Sequence, residues 1–137
     1  MHALRNIHRM LVPGGVLVDL QPIPPSPSLH AAGELLGRLD QRQVWERFAT
    51  TEPGIDAALA EGLYALEAEL EFDVIERFDS KTSLIGTING RDDWHMSGQL
   101  AARLEVADPP IDGRDHLRLR TFRSMPPRTR PASRVVV

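Results

Sequence analysis

The densest group of side chains that could do chemistry is the run Asp92-Asp93-Trp94-His95, with two carboxylates and an imidazole in four residues. Carboxylates and imidazoles bind a metal ion when they face one another. No second histidine or glutamate lies beside this run at the spacing of a helical turn. The sequence therefore predicts a loop that flanks a helix, and a metal site is the less favoured alternative.

The other nucleophilic and metal-binding residue types form no recognised pattern. The five histidines are scattered along the chain, and no serine lies in a nucleophile-elbow sequence. Neither a catalytic triad nor a zinc site is predicted from them. The lack of cysteine excludes a disulfide framework and a thiol nucleophile. The catalytic residues are therefore left unassigned.

Three side chains are candidates for the substrate side of a site. Gln21 ends an apolar run, and ligands of open α/β sheets bind beyond the carboxyl ends of strands. The alternative for Gln21 is an ordinary solvent-facing polar residue. Trp45 and Phe48 lie on one side of a predicted helix, where they could line an apolar substrate pocket or belong to the core.

The block that organises the chain runs from the N-terminus to Pro22. Apolar residues at helical spacing predict a helix over residues 1–11. Pro13-Gly14-Gly15 predicts a tight turn, because proline restricts φ and glycine accepts positive φ. Val16 to Leu20 is a short apolar run, typical of a strand buried on both faces, and Pro22 ends it.

Residues 3–18, with Arg9 ahead of Leu11 and Pro13-Gly14-Gly15, resemble the late conserved block of class I S-adenosylmethionine-dependent methyltransferases. In that family a basic residue usually stands directly before Pro-Gly-Gly, and this chain has Val12 there. The resemblance implies S-adenosylmethionine as the methyl donor. The family's donor site, a Gly-rich loop after the first strand, lies upstream of this block. No residue of this chain is therefore expected to bind the cofactor, and Gly14-Gly15, which precedes a strand, is predicted to be a plain turn.

Downstream of Pro22 the patterns predict a series of short elements. A Pro-rich connector over 23–28 comes first, because residues before proline disfavour helix. Asp40 followed by Gln43 is a capping-box pattern, which predicts that a helix starts at Gln41. Residues 29–39 before it fit either a helix or a β-hairpin, and a new helix start at Gln41 favours the hairpin. The first predicted elements are a hairpin over 29–39 that turns near Gly33 and a helix over 41–49. A second helix begins after Thr51, and its apolar stripe runs to Leu66. A strand over 71–78, two helices capped by Ser80 and Ser97, and a strand over 115–123 follow.

This order extends the resemblance over residues 1–123. The strands at 16–21, 71–78 and 115–123 would take the places of the family's fifth, sixth and seventh strands, of which the seventh is inserted antiparallel between the other two. The predicted fold is α/β: the C-terminal part of a Rossmann-like methyltransferase sheet, with flanking helices and a hairpin insertion. Residues 124–137 are predicted to be a disordered basic tail, because they contain too few apolar groups to pack.

Composition sets wide bounds. A chain of 137 residues suits one domain, and a net charge of −3 favours no particular partner. The arginines of the tail could contact nucleic acid, but no aromatic residue is interleaved for base stacking, so a solvated terminus is favoured. No apolar run has the length of a membrane span and no signal segment opens the chain, so a soluble cytoplasmic protein is expected.

The resemblance implies a fragment of a methyltransferase that is inactive alone and needs a partner or an upstream segment. The alternatives are a non-catalytic, oligomerising interaction module and a weak nucleic-acid contact through the tail. The strand at 16–21 lacks its upstream neighbour, and an open apolar edge is a template for another chain. A homo-oligomer or a complementary N-terminal half is therefore the expected partner, unless the hairpin at 29–39 folds over that edge.

Overall fold

The computed structural model describes residues 2–127, which form five helices and five strands. The helices are α1 (His2–Met10), α2 (Arg42–Ala49), α3 (Glu52–Ala60), α4 (Lys81–Asn89) and α5 (Gly98–Val106). The strands are β1 (Val16–Pro22), β2 (Ser28–Ala31), β3 (Glu34–Arg38), β4 (Tyr64–Phe78) and β5 (Ile111–Ser124). Within this part of the chain no helix combines the length and the apolar character that a membrane crossing requires. Most of the predicted tail, residues 128–137, lies outside the described residues.

The strands form one open antiparallel sheet in which β5 is central. β5 pairs with β1, β2 and β4, and β2 pairs in turn with β3. Antiparallel hydrogen bonds join the β1 and β5 segments, with Ser124 N donating to Gly15 O at 2.8 Å and Ile23 N donating to His116 O at 3.0 Å. The last strand therefore lies between β1 and β4. The protein is mixed α/β, with helices flanking an antiparallel sheet.

The prediction that the first strand is buried on both faces is wrong for the described residues. Val16, Val18 and Leu20 are 40%, 57% and 52% exposed. Successive residues of a strand point to opposite faces, so these three share one face. Only the other face, which carries Leu17, packs against a core. The short apolar run predicts two covered faces, and one of them is open.

The Pro-Gly-Gly segment is the tight turn that the sequence predicts. Gly14 has a φ of +76°, in the left-handed region that glycine adopts without steric cost. Gly15 N donates to Val12 O at 2.8 Å, and a Cβ on Gly15 would lie 2.9 Å from that same oxygen. Both glycines are therefore required by the backbone of the turn itself, which leads α1 into β1.

The hairpin predicted at 29–39 is present as β2 and β3. Ala32 and Gly33 form its turn with φ values of 49° and 77°, the positive values that a two-residue hairpin turn requires. The hairpin does not fold over the edge of β1, because β2 pairs with residues 111–114 of β5 instead. That alternative for covering the edge is therefore wrong, and among residues 2–127 β1 has β5 as its sole strand neighbour.

Two of the predicted capping residues cap their helices and two do not: Asp40 Oδ1 accepts from Arg42 N instead of closing a capping box with Gln43, and Thr51 makes no side-chain capping hydrogen bond. Ser80 Oγ accepts from Ser83 N, and Ser97 Oγ accepts from Leu100 N, both at 3.1 Å. The helix that begins after Thr51 is shorter than its apolar stripe predicted. It ends at Ala60, because Gly62 turns the chain with a φ of +75° and β4 starts at Tyr64. Of the stripe residues past the helix, Leu63 packs against the core of unit 1, whereas Leu66 on β4 is 48% exposed.

The described residues divide into two compact units, each with its own core. Unit 1 comprises 2–19, 51–69 and 120–127 of the described residues, and unit 2 comprises 20–50 and 70–119. The core of unit 1 is built on Ala58, Tyr64 and Phe122, with Leu4, Leu11, Leu17, Ile55, Leu59 and Leu63 packed around them. The core of unit 2 consists of Leu29, Leu39, Phe78, Leu84, Ile88, Trp94, Leu100, Leu104 and Ile111.

Candidate functional site

One face of the sheet in unit 2 carries polar side chains from three strands. Gln21 lies near the carboxyl end of β1, His116 and Arg118 lie on β5, and Glu71 and Asp73 lie on β4. Residues two apart in a strand share a face, so each strand presents its polar residues together. The hydrogen bonds between these side chains define the candidate site.

Gln21 is built into the sheet rather than exposed at a rim. The residue is 3% exposed, and its Oε1 accepts from Arg118 Nη2 at 3.1 Å. A buried amide needs such a partner, because an unsatisfied polar group costs about 1–3 kcal/mol. The structure thus places the carbonyl oxygen of Gln21 on a guanidinium, where it orients Arg118.

His116 is the titratable centre of this face. Its side chain is 24% exposed, with Nδ1 2.6 Å from Asp73 Oδ1 and Nε2 3.4 Å from Glu71 Oε2. The hydrogen bond to Asp73 raises the pKa of His116 above its usual 6.5, and Glu71 adds to this effect against the opposing effect of burial. An imidazole between two carboxylates retains its proton to higher pH, so the site can hold a proton near neutrality.

The raised pKa of His116 predicts a pH-dependent contribution to folding. Because the pKa is higher in the folded than in the unfolded state, the stabilisation is complete below the unfolded pKa and disappears as the pH rises through the folded pKa. Following the imidazole C–H resonances by NMR between about pH 5 and 9 measures this pKa directly.

Two variants separate the contributions to that pKa. Asp73→Asn is expected to return the pKa of His116 towards 6.5, whereas Glu71→Gln, at the longer distance, is expected to lower it less. An Asp73→Asn protein whose His116 titrates unchanged would show that the Asp73 contact does not set the pKa.

A second polar cluster lies in unit 1 around Arg120. The Arg120 side chain is 9% exposed, and its Nη2 lies 2.7 Å from both Asp19 Oδ2 and Glu52 Oε1. The guanidinium also lies 5.5 Å from the centre of the Phe122 ring. Each charged group of this cluster is paired with another member of it. The cluster therefore links β5, β1 and α3, and its role is to stabilise the fold.

The aromatic candidates lie on α2, within unit 2. Trp45 and Phe48 are both half-buried, as expected for one side of an amphipathic helix. The indole Nε1 of Trp45 is buried and has no hydrogen-bond acceptor among residues 2–127. The run at 92–95 is the predicted loop between α4 and α5. Within the described part of the chain, no group of three or more histidine, aspartate or glutamate residues is arranged to hold a metal ion.

No family model, curated protein or solved structure matches this chain. The function is therefore argued from the pattern of the sequence and the geometry of the fold.

Sequence reasoning missed the cluster of His116, Asp73 and Glu71 because His116 lies 43 and 45 positions from the two carboxylates. A signal for it was nevertheless present. Acidic residues recur at every second position of β4 from Glu67 to Asp73, and basic residues recur at every second position of β5 from Arg114 to Arg120. Opposite charges attract across neighbouring strands, so the two alternating patterns predict pairing of the two strands.

Proposed function

We propose that this chain is the C-terminal sheet portion of a class I S-adenosylmethionine-dependent methyltransferase fold. The observation that carries the proposal is the position of β5, which is antiparallel to and between β1 and β4. The family resemblance implies this order for the fifth, seventh and sixth strands. The unit of α1, Pro-Gly-Gly turn and β1 supplies the motif at the start of that series.

In this proposal the methyl donor is held by residues that lie outside this sequence of 137 residues. The glycine pair at 14–15 serves the turn before β1, and no Gly-rich loop follows a strand in this chain. S-adenosylmethionine binding then requires a complementary N-terminal half, either as an upstream segment or as a separate polypeptide. The chain supplies the acceptor side and no donor contacts.

Unit 2 is the part of the chain that suits the acceptor side. Residues 23–50 follow the carboxyl end of β1, and residues 79–110 follow that of β4; both segments belong to unit 2. Ligands of open α/β sheets bind beyond the carboxyl ends of the strands. The hairpin and the helices α2, α4 and α5 therefore surround the substrate end of the sheet in this proposal.

The open edge of β1 is the place where the complementary half would add its strand. Gly15 O and Ile23 N bond to β5, so the odd-numbered residues of β1 face β5. The N–H groups of Val16, Val18 and Leu20 consequently face the open edge. An apolar strand with such an edge pairs readily with another strand.

A second candidate, an oligomerising interaction module without catalysis, is favoured by a separate observation. Leu70 and Val74 of β4, both in unit 2, are 58% and 44% exposed, and they share one face of that strand. Contiguous exposed apolar residues mark surfaces that bind other proteins. In this alternative the covering partner is a second copy of the chain, and no methyl donor is involved.

Calorimetry with S-adenosylmethionine and sedimentation separate the two candidates. The chain alone is expected to bind the donor no more tightly than about 0.1 mM, whereas the chain co-expressed with the product of the neighbouring upstream coding sequence is expected to bind it in the micromolar range. Tight binding by the chain alone would contradict the proposal. If the chain forms a stable dimer and does not bind the donor even when co-expressed with the upstream product, the interaction module is supported instead.

A variant of the β1 edge tests where the complementary half binds. Val18→Lys places a charge on that strand and is expected to abolish both reconstitution and donor binding, because charged edge strands resist pairing. Val106→Lys is the matched control, since Val106 is 84% exposed at the end of α5. Equal donor binding by the two reconstituted variants would exclude β1 as the pairing edge.

A further inference from the structure

The sheet face of unit 2 that carries His116 also carries two arginines on either side of a serine. Ser28 of β2 lies opposite Arg38 of β3 and opposite Arg114 of β5. Residues directly opposite each other in antiparallel strands point to the same face of the sheet. Neighbouring strands lie about 4.8 Å apart, so the Cα atoms of the two arginines are about 10 Å apart. Two long cationic side chains thus border the space above the short side chain of Ser28.

A half-buried histidine lies next to the two arginines on the same face. His30 is two residues from Ser28 along β2, so the two side chains point the same way. His30 Nε2 lies 2.9 Å from Ser28 Oγ, and Ser28 is 4% exposed. The serine therefore fixes the orientation of the imidazole. The other ring nitrogen, Nδ1, makes no hydrogen bond with residues 2–127.

Neither of the two arginines forms an ion pair within the described part of the chain. Both are exposed; Arg114 makes no hydrogen bond there, and Arg38 donates from Nη1 to the backbone oxygen of Ser26 at 2.8 Å. Asp112, two residues from Arg114 on the same face, is engaged by Arg77, whose Nε and Nη2 donate to its carboxylate at 2.9 and 3.2 Å. Two positive charges thus lie beside each other without a carboxylate of their own.

We propose that this face binds the dianion of a small phosphate monoester between Arg38 and Arg114. Both guanidinium groups donate to the phosphate oxygens, because their planar fork of N–H groups matches phosphate geometry. Ser28 Oγ donates to His30 Nε2, so Nδ1 carries the proton of the imidazole and donates to a further phosphate oxygen. The inference does not depend on the methyltransferase proposal.

The organic group of the ester has an apolar surface beside the phosphate. Leu35 of β3 lies opposite His30 and is 53% exposed. Because opposite residues share a face, the leucine side chain lies on the same face as the imidazole. An apolar group attached to the phosphate packs against Leu35 and buries its exposed surface, which favours binding.

Other anions match these charges less well. A carboxylate carries a single negative charge, so it would leave one of the two guanidinium groups without a counter-charge. A nucleic acid carries a row of phosphates and needs an extended basic surface. On this face the acidic residues Glu71 and Asp73 lie beside His116, and they would repel the neighbouring phosphates. A single dianion is therefore the ligand that the charges favour.

The test compares phenyl phosphate with inorganic phosphate, benzoate and a single-stranded oligonucleotide. NMR titration of the full chain near pH 7.5 follows the side-chain Nε–H resonances of Arg38 and Arg114. Phenyl phosphate is expected to bind at least about tenfold more tightly than benzoate and several-fold more tightly than inorganic phosphate. Equal affinities for phenyl phosphate and benzoate, tighter binding of the oligonucleotide, or no shift of either arginine would overturn the proposal.

Variants separate a defined site from general attraction by charge. Arg38→Gln and Arg114→Gln are each expected to weaken the binding of phenyl phosphate by at least about tenfold, because each removes one charged donor pair. Lys81→Gln is the matched control, since it changes the net charge equally. Lys81 starts α4, which packs on the opposite face of the sheet, against the core that contains Leu29. Equal weakening in all three variants would overturn the proposal.

A further variant tests the position of the organic group. Leu35→Ser is expected to weaken phenyl phosphate and to leave the affinity for inorganic phosphate unchanged, because only the apolar contact is lost. Leu35 is exposed, so the variant is expected to keep the fold. Unchanged binding of phenyl phosphate by Leu35→Ser would exclude an ester whose organic group lies against Leu35.

Discussion

Replacing Arg120 by methionine is expected to lower the free energy of unfolding by about 3–5 kcal/mol, because the change strands two carboxylates that the guanidinium neutralises. Asp19 and Glu52 are only 22% and 33% exposed, and each accepts hydrogen bonds from Arg120 at 2.7 Å. Methionine fills a similar volume, so the loss comes from charge and hydrogen bonding rather than from a cavity. Urea denaturation at neutral pH measures the change.

The matched control is Arg123→Met, on the same strand. Arg123 also binds a carboxylate, that of Glu67 at 2.7 Å, but the two side chains are 45% and 43% exposed. Exposed ion pairs contribute about 0–1 kcal/mol, so this variant is expected to be nearly as stable as the parent protein. Equal losses for the two variants would show that burial of the Arg120 cluster is not the cause.

A compensating variant tests the mechanism. Adding Asp19→Asn and Glu52→Gln to Arg120→Met removes the stranded charges and is expected to restore a large part of the lost stability, because a buried cluster replaced as a whole costs much less than one broken from one side. A triple variant no more stable than Arg120→Met would contradict the electrostatic explanation.

Replacing Leu84 by alanine is expected to destabilise unit 2 by about 2–5 kcal/mol. Leu84 is fully buried, at 0% exposure, in a core built from α4, α5 and the strands of this unit. Truncation removes apolar contacts and leaves a cavity that the surrounding side chains fill only in part. Urea denaturation followed by the fluorescence of Trp94, which lies in the same core, reports the loss.

Ile85→Ala is the control for Leu84. The two residues are neighbours on α4, but Ile85 is 40% exposed, so its truncation is expected to cost less than about 1 kcal/mol. If both variants lost the same stability, the helix itself rather than the core on one side of it would be responsible.

Local signals along the chain determined most of the elements. Capping serines at 80 and 97, the glycine-containing turn of the hairpin and the alternation of β4 and β5 each depend on neighbours a few residues away. Such short-range preferences are written directly into the residues, because φ restriction and side-chain capping act within one turn of chain. The order of the helices and strands could therefore be predicted, whereas the antiparallel placement of the last strand was an expectation from the family resemblance and not from these local signals.

The burial of particular residues and the candidate sites were decided only by the tertiary structure. The sequence could not show that Val18 is exposed, because an apolar strand looks the same whether one or both of its faces are covered. It could not bring His116 to Asp73, because that contact depends on how two strands distant in sequence pack together. Residue types along the chain thus determined the local elements, whereas strand register and packing determined which charges meet and which polar atoms are left without a partner.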